Sequence, residues 1–159
     1  MGKILKKYYC GISIGIFVLF MIHGCNETEC SESKTTILWA NFYNSDLSMH
    51  SDTLAVYGLN INSMLIDTSV MKNISLPLKL TESSTSFVFD FFSKNDELRA
   101  KDTILFIHKN SEHFISEACG CVMFFSIDTI IHTKHKIDSI AIRNKNITNE
   151  EQENIQIFL

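Results

Sequence analysis

The 159-residue sequence contains one proline and six scattered glycines. With so few glycines there is no Gly-rich loop to cradle a phosphate. A nucleophile elbow and a zinc-protease helix motif are missing too. Basic residues are scarce, 14 Lys and Arg against 18 Asp and Glu. That balance argues against a nucleic-acid partner and against electrostatic adhesion to anionic lipid. No apolar run reaches the roughly 20 residues a membrane span needs. Helix signals are thin. Thr148-Asn149-Glu150-Glu151 has capping-box spacing, yet no apolar stripe follows it, so a single helical turn or an acidic loop is expected there. Low-complexity stretches and long linkers are absent.

What is present begins at the N-terminus. Lys3, Lys6 and Lys7 form a cationic head, and an apolar run from Ile12 to Ile22 follows, broken only by Ser13 and Gly15. Then come His23-Gly24-Cys25 and the polar, acidic Asn26-Glu27-Thr28-Glu29. A positive head, a short apolar core and a small residue at the cut form an export signal. A cysteine at its end, preceded by glycine, resembles the bacterial lipoprotein signal. That resemblance implies cleavage before Cys25, acylation of its sulfur and a lipid anchor in the outer membrane. Attachment then comes from acyl chains, at about 0.8 kcal/mol per buried methylene. The acidic residues after Cys25 are similar to surface-export tags of some Gram-negative lipoproteins. The alternatives are a plainly secreted chain or an uncut inner-membrane anchor. Removing residues 1–24 leaves 135 residues, room for one domain. They carry 11 basic and all 18 acidic residues, a net charge of −7 with histidines neutral. The expected organisation is a signal over 1–24, a lipidated tether over 25–34 and one domain over 35–159.

Once Cys25 is acylated, Cys30, Cys119 and Cys121 remain as thiols outside the reducing cytosol, where disulfides persist. An odd count leaves one unpaired within the molecule. A bridge from Cys30 to Cys119 or Cys121 closes a loop of about 90 residues, worth roughly 4–5 kcal/mol in the chain-entropy model. It staples the tether to the folded body. Two alternatives stay open. Cys119 and Cys121 could bridge each other, but residues two apart on a strand lie about 6.6 Å apart, so that bond would be strained and redox-active. They could also hold a metal with His113, His132 or His135, although a C-x-C pair alone is a weak signal and no metal site is expected.

The remainder reads as short strands. Thr35–Tyr43 places Leu38, Ala40 and Phe42 on one face, and Asp52–Gly58 ends at a glycine. Met64–Ile66 and Asn73–Leu76 are weaker, and Pro77 restricts its neighbourhood to a sheet edge. In Thr85–Ser93, Phe87, Phe89 and Phe91 alternate with Val88, Asp90 and Phe92. Asp102–His108 and His113–Ser116 follow as separate strands. Gly120–His132 is the longest, with Cys121, Met123, Phe125 and Ile127 on one face. Ile137–Arg143 turns Ile140 and Ile142 inward, and Asn154–Leu159 closes the chain. Apolar runs bounded by Asn, Asp and Ser clusters predict an all-β antiparallel sandwich, immunoglobulin-like or related, of about eight to nine strands.

An Asp-Ser/Thr phrase recurs at Asp52-Thr53, Asp67-Thr68, Asp102-Thr103, Asp128-Thr129 and Asp138-Ser139. Its plain reading is a turn closed by aspartate, with a β-branched residue opening the next strand. The triplet also resembles the O-glycosylation acceptor of exported proteins in Bacteroides-type bacteria, which makes Thr53 and Thr103 glycosylation candidates.

No catalytic residue and no cofactor is expected. His132-Thr133-Lys134-His135 reads as a solvated loop whose lysine repels cations. His113 near Cys119 is a poor thiol–imidazole pair. Glu117 is a candidate buried acid without an assigned partner. Asp90 is expected to face the solvent side or to accept from a neighbouring backbone. Trp39, Tyr43 and Tyr57 form either an aromatic sugar platform or core and rim packing.

Phe114-Ile115-Ser116-Glu117-Ala118-Cys119-Gly120-Cys121-Val122-Met123-Phe124-Phe125 resembles the signature of an uncharacterised lipoprotein family, a domain of unknown function, from Bacteroides-type bacteria. Leu54-Ala55-Val56-Tyr57-Gly58, Ser75-Leu76-Pro77-Leu78, Ile137-Asp138-Ser139-Ile140 and Glu153-Asn154-Ile155-Gln156-Ile157-Phe158 extend the likeness. The resemblance implies a lipidated envelope protein and offers no activity to carry over. The expected role is a non-enzymatic binding or structural module. The partners are the membrane, through lipid at Cys25, and another envelope protein or a glycan. The alternatives are a glycan- or small-solute-binding lipoprotein and a redox protein using Cys119 and Cys121.

Overall fold

The computed structural model describes residues 29–60, 64–93, 95 and 97–159. The expected signal over 1–24 and the acylation site Cys25 lie outside them. Ten strands and no helix form among the described residues: β1 (Leu38–Tyr43), β2 (Asp52–Gly58), β3 (Met64–Met71), β4 (Asn73–Leu76), β5 (Ser84–Phe92), β6 (Leu98–Ser116), β7 (Gly120–His132), β8 (Ser139–Ile142), β9 (Asn146–Ile147) and β10 (Glu153–Phe158). They make a four-stranded sheet in the order β4-β1-β10-β8 and a six-stranded sheet in the order β3-β2-β5-β6-β7-β9. The all-β, antiparallel-rich sandwich predicted from the alternation is what forms. One pair departs from it, because β1 and β10 run parallel. β4 lies at a sheet edge, as Pro77 requires.

Alternating apolar side chains explain both layers. Leu38, Ala40 and Phe42 of β1, with Ile155 and Ile157 of β10, face Leu54, Val56, Phe87, Phe89, Phe91, Ile104 and Phe106 of the larger sheet, all within one buried cluster. Phe42, Phe89, Phe91 and Phe106 are each fully covered. Each such ring contributes about 1.5–3 kcal/mol relative to exposure.

Three local expectations need correction. There are ten strands rather than eight or nine, in part because a two-residue strand, β9, pairs with β7 at Phe125 and Ser126. Lys109–Glu112 does not interrupt the chain. β6 runs 19 residues without a break, since its register with β7 continues through Lys109↔Ser126 and Glu112↔Met123. Beyond His108 it has lost its β5 partner and continues with β7 as a ribbon. Ile142 is 43 % exposed, and Cys121 is exposed as well. At both places the strand runs past the end of the core. Of the helical turn or acidic loop expected at 148–151, the loop is what forms, with a bend at Asn149 and Glu150.

Asp102 pins the loop between β7 and β8. Its buried carboxylate accepts hydrogen bonds from the Thr133 hydroxyl and from the backbone N–H groups of His135 (2.9 Å), Lys136 (2.7 Å) and Ile137 (2.9 Å). Burial pushes its pKa up, but these donors outweigh burial and hold it at about 2. Ile137 thereby enters the core. The Lys136 ammonium reaches back to Asp52, which also pairs with Arg99.

Candidate functional site

The outer face of the four-stranded sheet carries the richest array of aromatic and hydrogen-bonding side chains, and a β-bulge arranges it. The register between β1 and β10 steps from Trp39↔Glu153 to Ala40↔Ile155, so Asn154 is an extra residue. Its side chain is buried. The Oδ1 accepts the Trp39 backbone N–H at 2.9 Å, and the Nδ2 donates to the carbonyls of Asn144 and Asn146. The bulge lets Glu153 and Gln156 sit half-buried outside while Asn154 and Ile155 are covered.

Glu153 is the hub of this face. Its Oε1 accepts from Asn41 Nδ2 and from the Tyr43 hydroxyl, both at 2.8 Å, and its Oε2 accepts from Gln156 Nε2 at 2.9 Å. Three donors fix the carboxylate without burying it. The Tyr43 ring lies 5.9 Å from that of Phe158. Trp39 forms the wall shared by two hollows. One, of about 200 Å³, is bounded by Asn41, Glu151, Gln152 and Glu153. The other, of about 240 Å³, is bounded by Ser33, Thr35, Ile37, Ser75 and the 148–151 bend. A third hollow, of about 380 Å³, continues round Thr148, Asn149 and Glu150 to His113, Phe124, Asn144 and Asn146. The result is a shallow, amide-rich strip with a half-buried indole in it. An indole offers an apolar plane, and amides and carboxylates offer donors and acceptors for hydroxyl groups.

A larger hollow, about 410 Å³, lies elsewhere, between Leu59, Met64, Pro77 and Phe87. Its buried polar side chain is already committed. The Thr85 hydroxyl accepts the Lys79 N–H and is hydrogen-bonded to His108 Nε2 at 2.9 Å. His108 Nδ1 in turn donates to Asn110 Oδ1, whose amide holds the carbonyls of Lys79, Leu80 and Glu82. This chain fastens the loop before β5.

The residues singled out in the sequence fall as follows. Cys30 is bonded to Cys119, with Cα atoms 4.8 Å apart, and Cys121 is free. Among the described residues no three His, Cys, Asp or Glu side chains gather to hold a metal. His132 and His135 take separate partners, the Thr133 carbonyl and Asp102. His113 stacks on Phe124 with ring centroids 4.6 Å apart. Glu117 is exposed, so it is no buried acid. Trp39 and Tyr43 share one face, but Tyr57 belongs to the other sheet. There its hydroxyl accepts from Lys101 Nζ at 2.7 Å and donates to Asp90. The hydrogen bond to Tyr57, followed by that to Asp90, raises the Lys101 pKa. Thr53 and Thr103 lie half-buried within β2 and β6 rather than in turns.

Glu153, Asn154 and the His108 chain were not singled out in the sequence. Glu153 and Asn154 stand at the start of a segment that reads as a closing strand, and because Ile155 and Ile157 alternate with Gln156 there, a polar Asn154 carries no mark of burial.

A model described as a family of unknown function, DUF6452, matches residues 53–159. The match runs from Thr53 in β2 through β10, including Glu153 and Asn154, and leaves β1 with Trp39 outside it. No curated protein and no solved structure matches the chain.

Proposed function

The chain belongs to this family of unknown function, DUF6452, and from that premise we propose a non-enzymatic envelope lipoprotein, acylated at Cys25, whose four-stranded sheet binds a carbohydrate chain. One observation carries the reading: the half-buried Trp39 between two hollows, beside a carboxylate held by three donors. Sugar rings present C–H faces to an indole and hydroxyls to fixed amides and acids. Shallow hollows strung along a strip suit several linked sugars better than one enclosed small molecule. The outer-membrane location and the lipoprotein and Bacteroides-type character rest on the N-terminal signal and the resemblance drawn from the sequence. The redox alternative is disfavoured because the Cys119 sulfur is spent on Cys30.

Two experiments separate the parts. Intact-mass measurement of protein from the native membrane reads a diacylglyceryl or triacyl adduct on Cys25, lost in Cys25→Ser. An unmodified Cys25 rejects the anchor. A glycan array probed with the soluble domain reads sugar binding that Trp39→Ala abolishes. Silence across polysaccharide classes, or binding indifferent to Trp39, rejects the sugar face.

A further inference from the structure

The Cys30–Cys119 bridge fixes which end of the domain can face a membrane. This argument rests on acylation of Cys25. Without the bridge, 13 residue steps separate Cys25 from β1 at Leu38, a leash of up to about 45 Å. That exceeds the width of the folded body, roughly 35 Å for a domain of this size. With Cys30 bonded to Cys119, only five steps remain, at most about 18 Å. The body can no longer turn freely on its anchor, and the end that holds Cys119 stays next to the lipid.

That end is the tip of the β6–β7 ribbon. Cys119 lies in the turn between the two strands, and Phe114 is in register with Cys121 just behind it. Phe114 is 59 % exposed, a large aromatic ring on a two-stranded ribbon that no third strand covers among the described residues. Aromatic rings gather at the headgroup level of bilayers because one part is apolar and the rim tolerates water. Between Ser111 and Cys121 there is no Lys or Arg, while Glu112 and Glu117 are exposed. Such a tip suits a zwitterionic surface and is repelled by an anionic one.

We propose that the tip of the β6–β7 ribbon, with Phe114 at its contact point, is a membrane-docking surface, and that the Cys30–Cys119 bridge holds it against the bilayer. The bridge then acts as an orienting device in addition to a staple. Its chemical partner is a lipid headgroup layer of low net charge.

The test uses the acylated full chain in phosphatidylcholine vesicles. Trp39→Phe combined with Phe114→Trp places the single indole at the tip. Emission is expected to move to shorter wavelength and to be quenched by lipids brominated near the headgroup. Both effects should weaken in phosphatidylglycerol-rich vesicles and should be lost when Cys30→Ser and Cys119→Ala remove the bridge. Absence of quenching in protein that floats with the vesicles and carries lipid on Cys25 overturns the docking surface and leaves the anchor standing. Quenching that persists without the bridge overturns the orienting role. Protein that stays soluble with an unmodified Cys25 removes the anchor and this inference together.

Discussion

The buried side-chain oxygen of Asn154 accepts the Trp39 backbone N–H at 2.9 Å, across 115 residues of sequence. This one bond satisfies the bulge in the parallel β1–β10 pair and sets Trp39 at the rim of two hollows. Asn154→Ala leaves that N–H short of a partner and removes the donor to the Asn144 and Asn146 carbonyls. Loss of stability of about 1–3 kcal/mol is expected from urea unfolding, together with weaker sugar binding. An unchanged midpoint contradicts the role given to the bulge.

Glu153→Gln should separate binding from folding. The side chain is half-buried, so stability should change by less than about 1 kcal/mol. Its donors, however, lose the charge that fixes them, and affinity for any bound glycan should fall several-fold in a titration. Equal affinity removes Glu153 from the site.

Asp102 predicts a specific acid response. Its folded pKa is depressed to about 2 from an ordinary 3.8. The stability it contributes is therefore fully present above about pH 4 and is lost as pH falls toward 2. The depression corresponds to about 2 kcal/mol. Asp102→Asn should flatten this part of the stability–pH curve and should destabilise at neutral pH, because an amide cannot accept from all the donors now converging there. A variant with the wild-type pH profile contradicts the assignment.

The bridge makes a further prediction. Closing a loop with a sequence separation of 89 is worth about 4–5 kcal/mol in the chain-entropy model, so reductant should lower the urea midpoint markedly. Before reduction, native acylated protein should offer one reactive thiol, Cys121, readable by alkylation and mass. A reagent that modifies Cys30 or Cys119 without reductant goes against the pairing.

Much of the core was legible because Phe87, Phe89 and Phe91 alternate cleanly, and a period of two admits one reading. The Cys30 bridge was legible as a class, but its partner was not, since Cys119 and Cys121 are equivalent by spacing and only the turn at Gly120 distinguishes them. Lys109–Glu112 read as a gap because a ribbon wet on both faces keeps no apolar alternation. The parallel pairing of β1 with β10 is a contact between the two ends of the domain, and neither segment carries a mark of its partner. Trp39 and Tyr43 were visible as platform candidates. Tyr57 was grouped with them because sequence does not tell which of two sheets an outward ring belongs to. Glu153 gains its role from three neighbours brought in by that same distant pairing.

The most direct measurement exploits the fact that Trp39 is the only tryptophan in the chain. Its fluorescence, followed while oligosaccharides of envelope and host type are titrated into the soluble domain, should shift and saturate with at least one of them, and the same ligand should leave Glu153→Gln only weakly responsive. Emission that stays flat with every oligosaccharide, while the domain remains folded and bridged, contradicts the carbohydrate face.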